Sequence, residues 1–319
     1  MGRKKQSIGR LQIKTIETGW PNASLFFEPD MADQKKTLFI FGLGYVGQHL
    51  AHLLSLSGWQ IIATTRSPER FARQTEQGWI ILPFSSDGPY PDILPHLDRA
   101  SHLLSTIGPV EGRDPVLAAY DRAIKGFAGW TGYLSATSVY PDQPEGWIDE
   151  DTAPAPPTAR GKTRLLAEQH WQDICQAEIF RIAGIYGPGR NPFAALRAGT
   201  ARIIDKPGHL FNRIHLSDIC QIVQAAITRP RSRRILNLAD QHPAPQADVI
   251  GFAAHLLGIT PPEPVAFDKA DLSEMARSFY MAQRKITSKH LGSELAYRFS
   301  YPDYKAGLTA LIPEHGDKR

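Results

Sequence analysis

Thr37-Leu-Phe-Ile-Phe-Gly-Leu-Gly-Tyr-Val-Gly47 decides the fold of this 319-residue chain. Five residues, Thr37 to Phe41, form an apolar run of strand length. They enter a Gly42-x-Gly44-x-x-Gly47 turn, and Val46, Leu50, Leu53 and Leu54 then recur at helical spacing. Strand, glycine turn and helix in that order form the setting in which such a turn binds a dinucleotide. Gly42 permits the tight turn, Gly44 lets the backbone approach a pyrophosphate, and Gly47 lets the helix pack closely on the strand. The helix start adds free N–H groups and the positive end of its dipole.

Outward from this stretch, apolar runs alternate with helical segments. Gln60–Thr65, Trp79–Leu82, His102–Thr106, Gly132–Ser135 and Ala177–Ile182 read as further strands. Phe71–Gln77, residues 114–129 and Thr158–Gln176 read as helices between them. Strands apolar on both faces, joined through helices, imply right-handed crossovers and a buried parallel sheet. The expected class is α/β: a Rossmann, doubly wound parallel sheet with a smaller, interleaved C-terminal substrate-binding subdomain. Residues 36–185 make the first, with 211–240 returning to it, and 186–210 with 241–319 make the second. In the later part, Ile214–Thr228 and Gln246–Gly258 read as helices, with Arg234–Leu238 as a strand between them.

Composition narrows the class. Hydrophobic residues make up 42% of the chain, which supplies a sizeable core. The formal net charge is +4, and Arg3, Lys4, Lys5 and Arg10 account for much of it, so no basic face for nucleic acid is indicated. Two cysteines, Cys175 and Cys220, form no CxxC or Cys/His cluster, so no metal site and no disulfide framework is expected. No apolar run reaches membrane-span length, and the N-terminus is a poor secretory signal, so a cytoplasmic protein is expected. Residues 1–35 show no sustained period and read as a disordered extension, with Met31 as the expected natural start or, alternatively, a flexible N-terminal arm.

The end of the second strand bears on the cofactor. An NAD binder places an acid there for the ribose 2′-hydroxyl. This chain has Thr64-Thr65-Arg66-Ser67, with no carboxylate until Glu69. Arg66 suits a 2′-phosphate, with Thr65 and Ser67 as donors, so NADP is expected in preference to NAD. Ser105 and Thr106, at the carboxyl end of the fourth strand, are expected in the same groove.

Four motifs in order resemble the extended short-chain dehydrogenase/reductase superfamily, the NAD(P)-dependent epimerase/dehydratase group, over about residues 37–312. They are the glycine turn, Tyr133-Leu-Ser-Ala-Thr-Ser-Val-Tyr140, Phe180-Arg-Ile-Ala-Gly-Ile-Tyr-Gly-Pro-Gly189 and Asn212-Arg-Ile-His-Leu-Ser-Asp218. The resemblance implies a Ser or Thr and a Tyr-x-x-x-Lys as the catalytic set. Here those positions hold Ala136, Arg160 and Arg164. A guanidinium cannot donate the proton, so the chain resembles the atypical branch, which keeps the fold and the cofactor turn without the standard triad. The resemblance further implies cofactor contacts from Tyr45, Val46, Ser135, Arg164, Ile182 and Ile185, a small-molecule substrate, and a homodimer.

Thr137 and Tyr140 are the replacement candidates for catalysis, Tyr140 as the nearest phenol and a potential general acid. A packed, structural tyrosine is the alternative at that position, and Tyr186 is a further phenol with the same two readings. His215 and Asp218, three apart at a helix start, read either as a proton relay or as a cap with a packed imidazole. Arg190, Asn191, Asn212 and Arg213 fall where the family binds substrate and suit an anionic or sugar-like ligand. Two functions stay open: an oxidoreductase or epimerase-like enzyme with a non-standard site, and a non-catalytic NADP-binding sensor or scaffold.

Overall fold

The computed structural model describes residues 36–312. The expected N-terminal extension, and the start at Met31, lie outside the described residues.

The core of the molecule is a seven-stranded, all-parallel sheet. Its strands are β1 (Thr37–Phe41), β2 (Gln60–Thr65), β3 (Ile80–Pro83), β4 (His102–Ser105), β5 (Trp130–Ala136) and β6 (Glu178–Ile182), completed by β10 (Ile235–Leu238). Connecting helices are α1 (Tyr45–Leu56), α2 (Ala72–Glu76), α3 (Leu94–Leu97), α4 (Pro115–Lys125) and α5 (Ala159–Cys175). The order across the sheet is β10-β6-β5-β4-β1-β2-β3. The order reverses between β1 and β4, and a ligand crevice opens at such a point beyond the strands' carboxyl ends.

Alternation along β1 shows why the sheet is buried on both faces. Leu38 and Ile40 pack into one apolar cluster with Leu50 and Leu54 of α1. Phe39 and Phe41 pack into the other, with Val116 of α4 and Trp171 of α5. Each of these large side chains contributes about 1.5–3 kcal/mol by leaving water.

Side-chain caps hold the starts of several helices, α4 and α5 among them. Asp114 accepts from the Val116 and Leu117 amides at 2.9 and 3.0 Å ahead of α4. Thr158 accepts from the Gly161 amide at 3.1 Å ahead of α5. Two buried ion pairs tie β6 to its neighbours. Glu168 of α5 meets Arg181 of β6 at 2.8 Å, and Glu178 of β6 meets Arg234 at 2.5 Å.

In the later part the expected helices and strand are present, with several short elements between them. After β6 come β7 (Gly184–Tyr186), α6 (Phe193–Arg197), β8 (Ile203–Asp205) and β9 (Arg213–His215). The helix expected from Ile214 begins instead at Leu216, as α7 (Leu216–Thr228), because Arg213–His215 pair in parallel with β7. After β10 come α8 (Gln246–Leu257), β11 (Pro264–Ala266), α9 (Glu274–Ser278), α10 (His290–Leu295) and α11 (Tyr304–Ala310). β11 pairs with β8. Phe193, Leu196, Val249, Ala253 and Leu308 share a separate apolar cluster. Among the described residues no helix is long and apolar enough to cross a membrane.

Candidate active site

The glycine turn has the geometry its sequence calls for. Gly42 has φ +94°, and a Cβ there would lie 2.7 Å from both Thr106 Oγ1 and Ile107 Cγ1. Two hydroxyls pin it: Thr64 Oγ1 accepts from the Gly42 amide at 3.1 Å, and Thr106 Oγ1 donates to its carbonyl at 2.6 Å. A Cβ on Gly47 would come within 2.6 Å of the Gly42 carbonyl oxygen, so α1 approaches the turn as closely as backbone allows. Gly44, the N-cap of α1, has no side-chain cap, and nothing lies within 4 Å of where its Cβ would be. The start of this 12-residue helix therefore faces open space with its N–H groups unclaimed by a capping side chain. That is a fit for a phosphate group.

A cleft of about 670 Å³ opens from this turn. Its walls come from the turn (Gly44–Val46), from Thr106, from residues 134–138 after and within β5, from α5, and from residues 182–185. Four arginines line it: Arg160, Arg164, Arg190 and Arg284. Among the described residues no carboxylate, lysine or histidine lines it.

The four cations are not equivalent. Arg160, at the start of α5, is exposed and pairs with no carboxylate among the described residues. Arg164, one turn on, donates to Tyr133 Oη at 3.2 Å and to the Leu134 carbonyl at 3.3 Å. It occupies the space beside Gly108, where a Cβ would collide with its guanidinium. Arg284 donates to the Tyr140 and Pro141 carbonyls at 2.9–3.2 Å, and burial lowers its pKa from the ordinary value. Arg190 lies over the Tyr45 ring, 5.7 Å from its centroid.

Sequence-derived candidates separate into three groups. Gly44, Tyr45, Val46, Thr106, Ser135, Arg164, Ile182 and Ile185 of the cofactor set line the cleft, as do Ala136, Thr137 and Arg160. Thr65, Arg66 and Ser67 sit at the end of β2, outside the cleft lining; Arg66 is exposed, and the Ser67 amide donates to Thr65 Oγ1 at 3.3 Å. Ser105 is fully buried at the end of β4, and its hydroxyl has no partner among the described residues.

On the substrate side, Arg190 and Asn212 line the cleft. Asn212 is already committed: its Nδ2 donates to the Arg284 carbonyl and its Oδ1 accepts from the Ile286 amide. Asn191 and Arg213 are not at the cleft. Asn191 closes its own loop through Gly187 and Phe193, and Arg213 donates to the Phe211 and Ala244 carbonyls. Phe279 and Ala282 line the cleft without having been expected individually. They follow the five-residue helix α9, and a segment so short carries no period to single them out.

The phenols expected near the chemistry lie elsewhere. Tyr140 is fully buried, its hydroxyl donates to Asn237 Oδ1 at 2.8 Å, and Arg181 stacks 4.8 Å from its ring centroid. Burial pushes its pKa up. The structure thus gives Tyr140 the packed position, away from the cleft. Tyr186 is buried and donates to the Asp303 carbonyl at 3.1 Å. His215 caps α7, accepting from the Ser217 amide, while Asp218 accepts from Tyr297 Oη and from the Ser300 and Tyr301 amides. Neither faces the cleft.

No protein-family model matches the chain. A conserved protein of unknown function from Silicibacter pomeroyi DSS is 42% identical, with 87% of this chain and 98% of that one covered and a TM-score of 0.81. Protein YeeZ of Escherichia coli K12 is 28% identical, covering 84% of this chain and 97% of the relative. Epimerase family protein YfhF of Bacillus subtilis 168 is 23% identical, covering 86% and 96%. Human epimerase family protein SDR39U1, solved with NADPH, superimposes with a TM-score of 0.64 at 16% identity, covering 86% and 98%. The fold is that of the NAD(P)-dependent epimerase/dehydratase family. The resemblance drawn from the four sequence motifs agrees with it. α5 presents Arg160 and Arg164, the residues at the two positions the sequence resemblance singled out, to the cleft.

Proposed function

We propose that this chain binds NADP at the Gly42–Gly47 turn and acts on an anionic small molecule in the adjoining cleft, as an oxidoreductase or epimerase-like enzyme with a non-standard site. One observation carries the reading: the glycine turn opens into a cleft lined, among the described residues, by four arginines and no carboxylate. Guanidinium groups bind carboxylate and phosphate through paired N–H donors, so unopposed arginines select for anions. That SDR39U1 was solved with NADPH supports the cofactor class. Arg66, exposed at the end of β2 and without a carboxylate partner among the described residues, favours the 2′-phosphate form.

The nicotinamide ring of such a cofactor supplies hydride transfer. The chain's own groups would then do the following. Arg160, where the family has its phenol, holds an anionic group of the substrate and cannot release a proton. Arg164, anchored on Tyr133 and Leu134, presents a fixed positive charge over the carboxyl end of β5. Ala136 removes the family's hydroxyl, and Thr137 and Ser138, both in the cleft, are the remaining hydroxyls of that loop. Thr137 is our candidate for the hydroxyl that touches the substrate oxygen. A homodimer accompanies the reading on the strength of the family resemblance.

A non-catalytic NADP sensor is the second reading, and the sealed position of Tyr140 favours it. Two measurements separate the outcomes. NADPH should bind at least about tenfold more tightly than NADH, as loss of one charge-assisted contact implies, and Arg66→Asp should reverse the preference. Equal affinities before and after the change would remove NADP. Turnover screened with carboxylate- and phosphate-bearing carbonyl compounds should fall in Arg160→Gln and Thr137→Val; binding without any turnover would leave the sensor.

A further inference from the structure

After β7 the chain doubles back, Gly187 and Arg190 exchanging two backbone hydrogen bonds of 3.0 Å. Gly189, with φ +70°, takes the left-handed conformation that this reversal requires. The tip is tied to the glycine turn. Tyr45, the first residue of α1, donates its hydroxyl to the Pro188 carbonyl at 2.8 Å. A Cβ on Gly187 would lie 2.9 Å from that hydroxyl, so the strand end runs directly under the tyrosine. Arg190, over the Tyr45 ring, is exposed, and its guanidinium makes no hydrogen bond among the described residues. Gly44, Tyr45 and Arg190 line the same cleft.

The turn itself, Gly42-Leu-Gly-Tyr-Val-Gly47, contains no cation to balance a pyrophosphate. Arg284 is spent on the Tyr140 and Pro141 carbonyls, and Arg164 is anchored over β5. Among the described residues, Arg190 alone of the cleft's arginines stands against a residue of the turn with its donors free. We propose that residues 187–190 and Tyr45 form a clasp over the dinucleotide's pyrophosphate, in which Arg190 supplies the counter-charge and the Tyr45–Pro188 hydrogen bond slows departure of the dinucleotide. This rests on the dinucleotide-binding reading above. It moves Arg190 from the substrate to the cofactor and makes the substrate-side loop part of the cofactor's latch.

Both dinucleotides carry the pyrophosphate, so the clasp makes no distinction between them. The test is fluorescence titration and stopped-flow displacement of NADPH and of NADH from the full chain. Arg190→Gln should weaken both by a similar factor, about tenfold, and Arg190→Lys should restore part of the loss. Tyr45→Phe should speed the dissociation of both, with little change in association. Nicotinamide mononucleotide, which lacks the pyrophosphate, should be almost indifferent to either change. Unaltered NADPH and NADH affinity in Arg190→Gln overturns the clasp while the dinucleotide reading stands. A factor confined to NADPH also overturns it, by giving Arg190 to the 2′-phosphate. Failure of the unaltered chain to bind either dinucleotide overturns both readings.

Discussion

At the scale of single residues, backbone clearance decides most. Gly47→Ala would push a methyl group to 2.6 Å from the Gly42 carbonyl, and neither partner can yield without opening the turn. We expect the variant to stay folded and to lose NADPH binding by at least about tenfold, read by fluorescence titration. Glu168 lies one turn beyond Arg164 on α5. Its carboxylate accepts from Ser135 Oγ at 2.5 Å and is gripped by Arg181 through Nε and Nη2. Glu168→Gln leaves a buried guanidinium without its counter-charge, and should cost about 3–5 kcal/mol in urea unfolding. The glycine turn was legible because its demands are local: three glycines, a strand and a helix within eleven residues. Tyr140 was not, since its partner Asn237 lies 97 residues on and only the folded sheet brings them together.

At the scale of elements, the cleft depends on how α5 begins. Thr158 caps it just before Arg160, so the cap fixes the direction in which both arginines leave the helix. Thr158→Ala should lower stability by about 1 kcal/mol and also weaken binding of an anionic ligand, whereas Thr158→Ser should restore both; calorimetric melting and titration read the two effects. Long elements with a strong period were readable. The helix expected at 158–176 spans Ala159–Cys175. The three-residue strands β7, β8, β9 and β11 were not, because so short a run has no period of its own. Pairing with distant partners creates them, as Gly184 with Arg213 and Ile203 with Pro264.

Across the whole molecule, buried ionisable groups give stability a particular pH dependence. Burial pushes Asp240 up to about 7, with Asp303 and Asp218 adding to it and Arg213 opposing. The folded state therefore holds a proton that the unfolded chain releases near pH 4, and this group's contribution is lost as pH rises from about 4 to about 7. His215 and His102 act in the opposite sense. Burial lowers each to about 4, helped at His102 by Lys36, so the unfolded chain takes protons first and stability falls as pH drops from about 6.5 to about 4. Denaturation midpoints across pH 4–8 should show these slopes partly cancelling. In Asp240→Asn the midpoint should climb more steeply from about pH 4 to 6.5 and then level off; in His215→Gln the climb should flatten, because His102 alone is left to offset Asp240. Midpoints with the same slope in both variants would contradict the assignment. None of this could be read from the chain, where eleven histidines and thirty-two acids carry no mark of their burial.

The late arrival of β10 has a consequence for how the protein is made. Glu178, at the start of β6, finds its buried partner Arg234 only 56 residues downstream, beside the strand that closes the sheet. During synthesis β6 must wait as a bare edge, its acid held by water, until the excursion that builds one wall of the cleft has emerged. A nascent chain arrested before Arg234 therefore exposes a sticky strand, and one arrested just beyond Leu238 can seal it. The cleft's own wall sets the interval during which the growing chain is most vulnerable to misassembly.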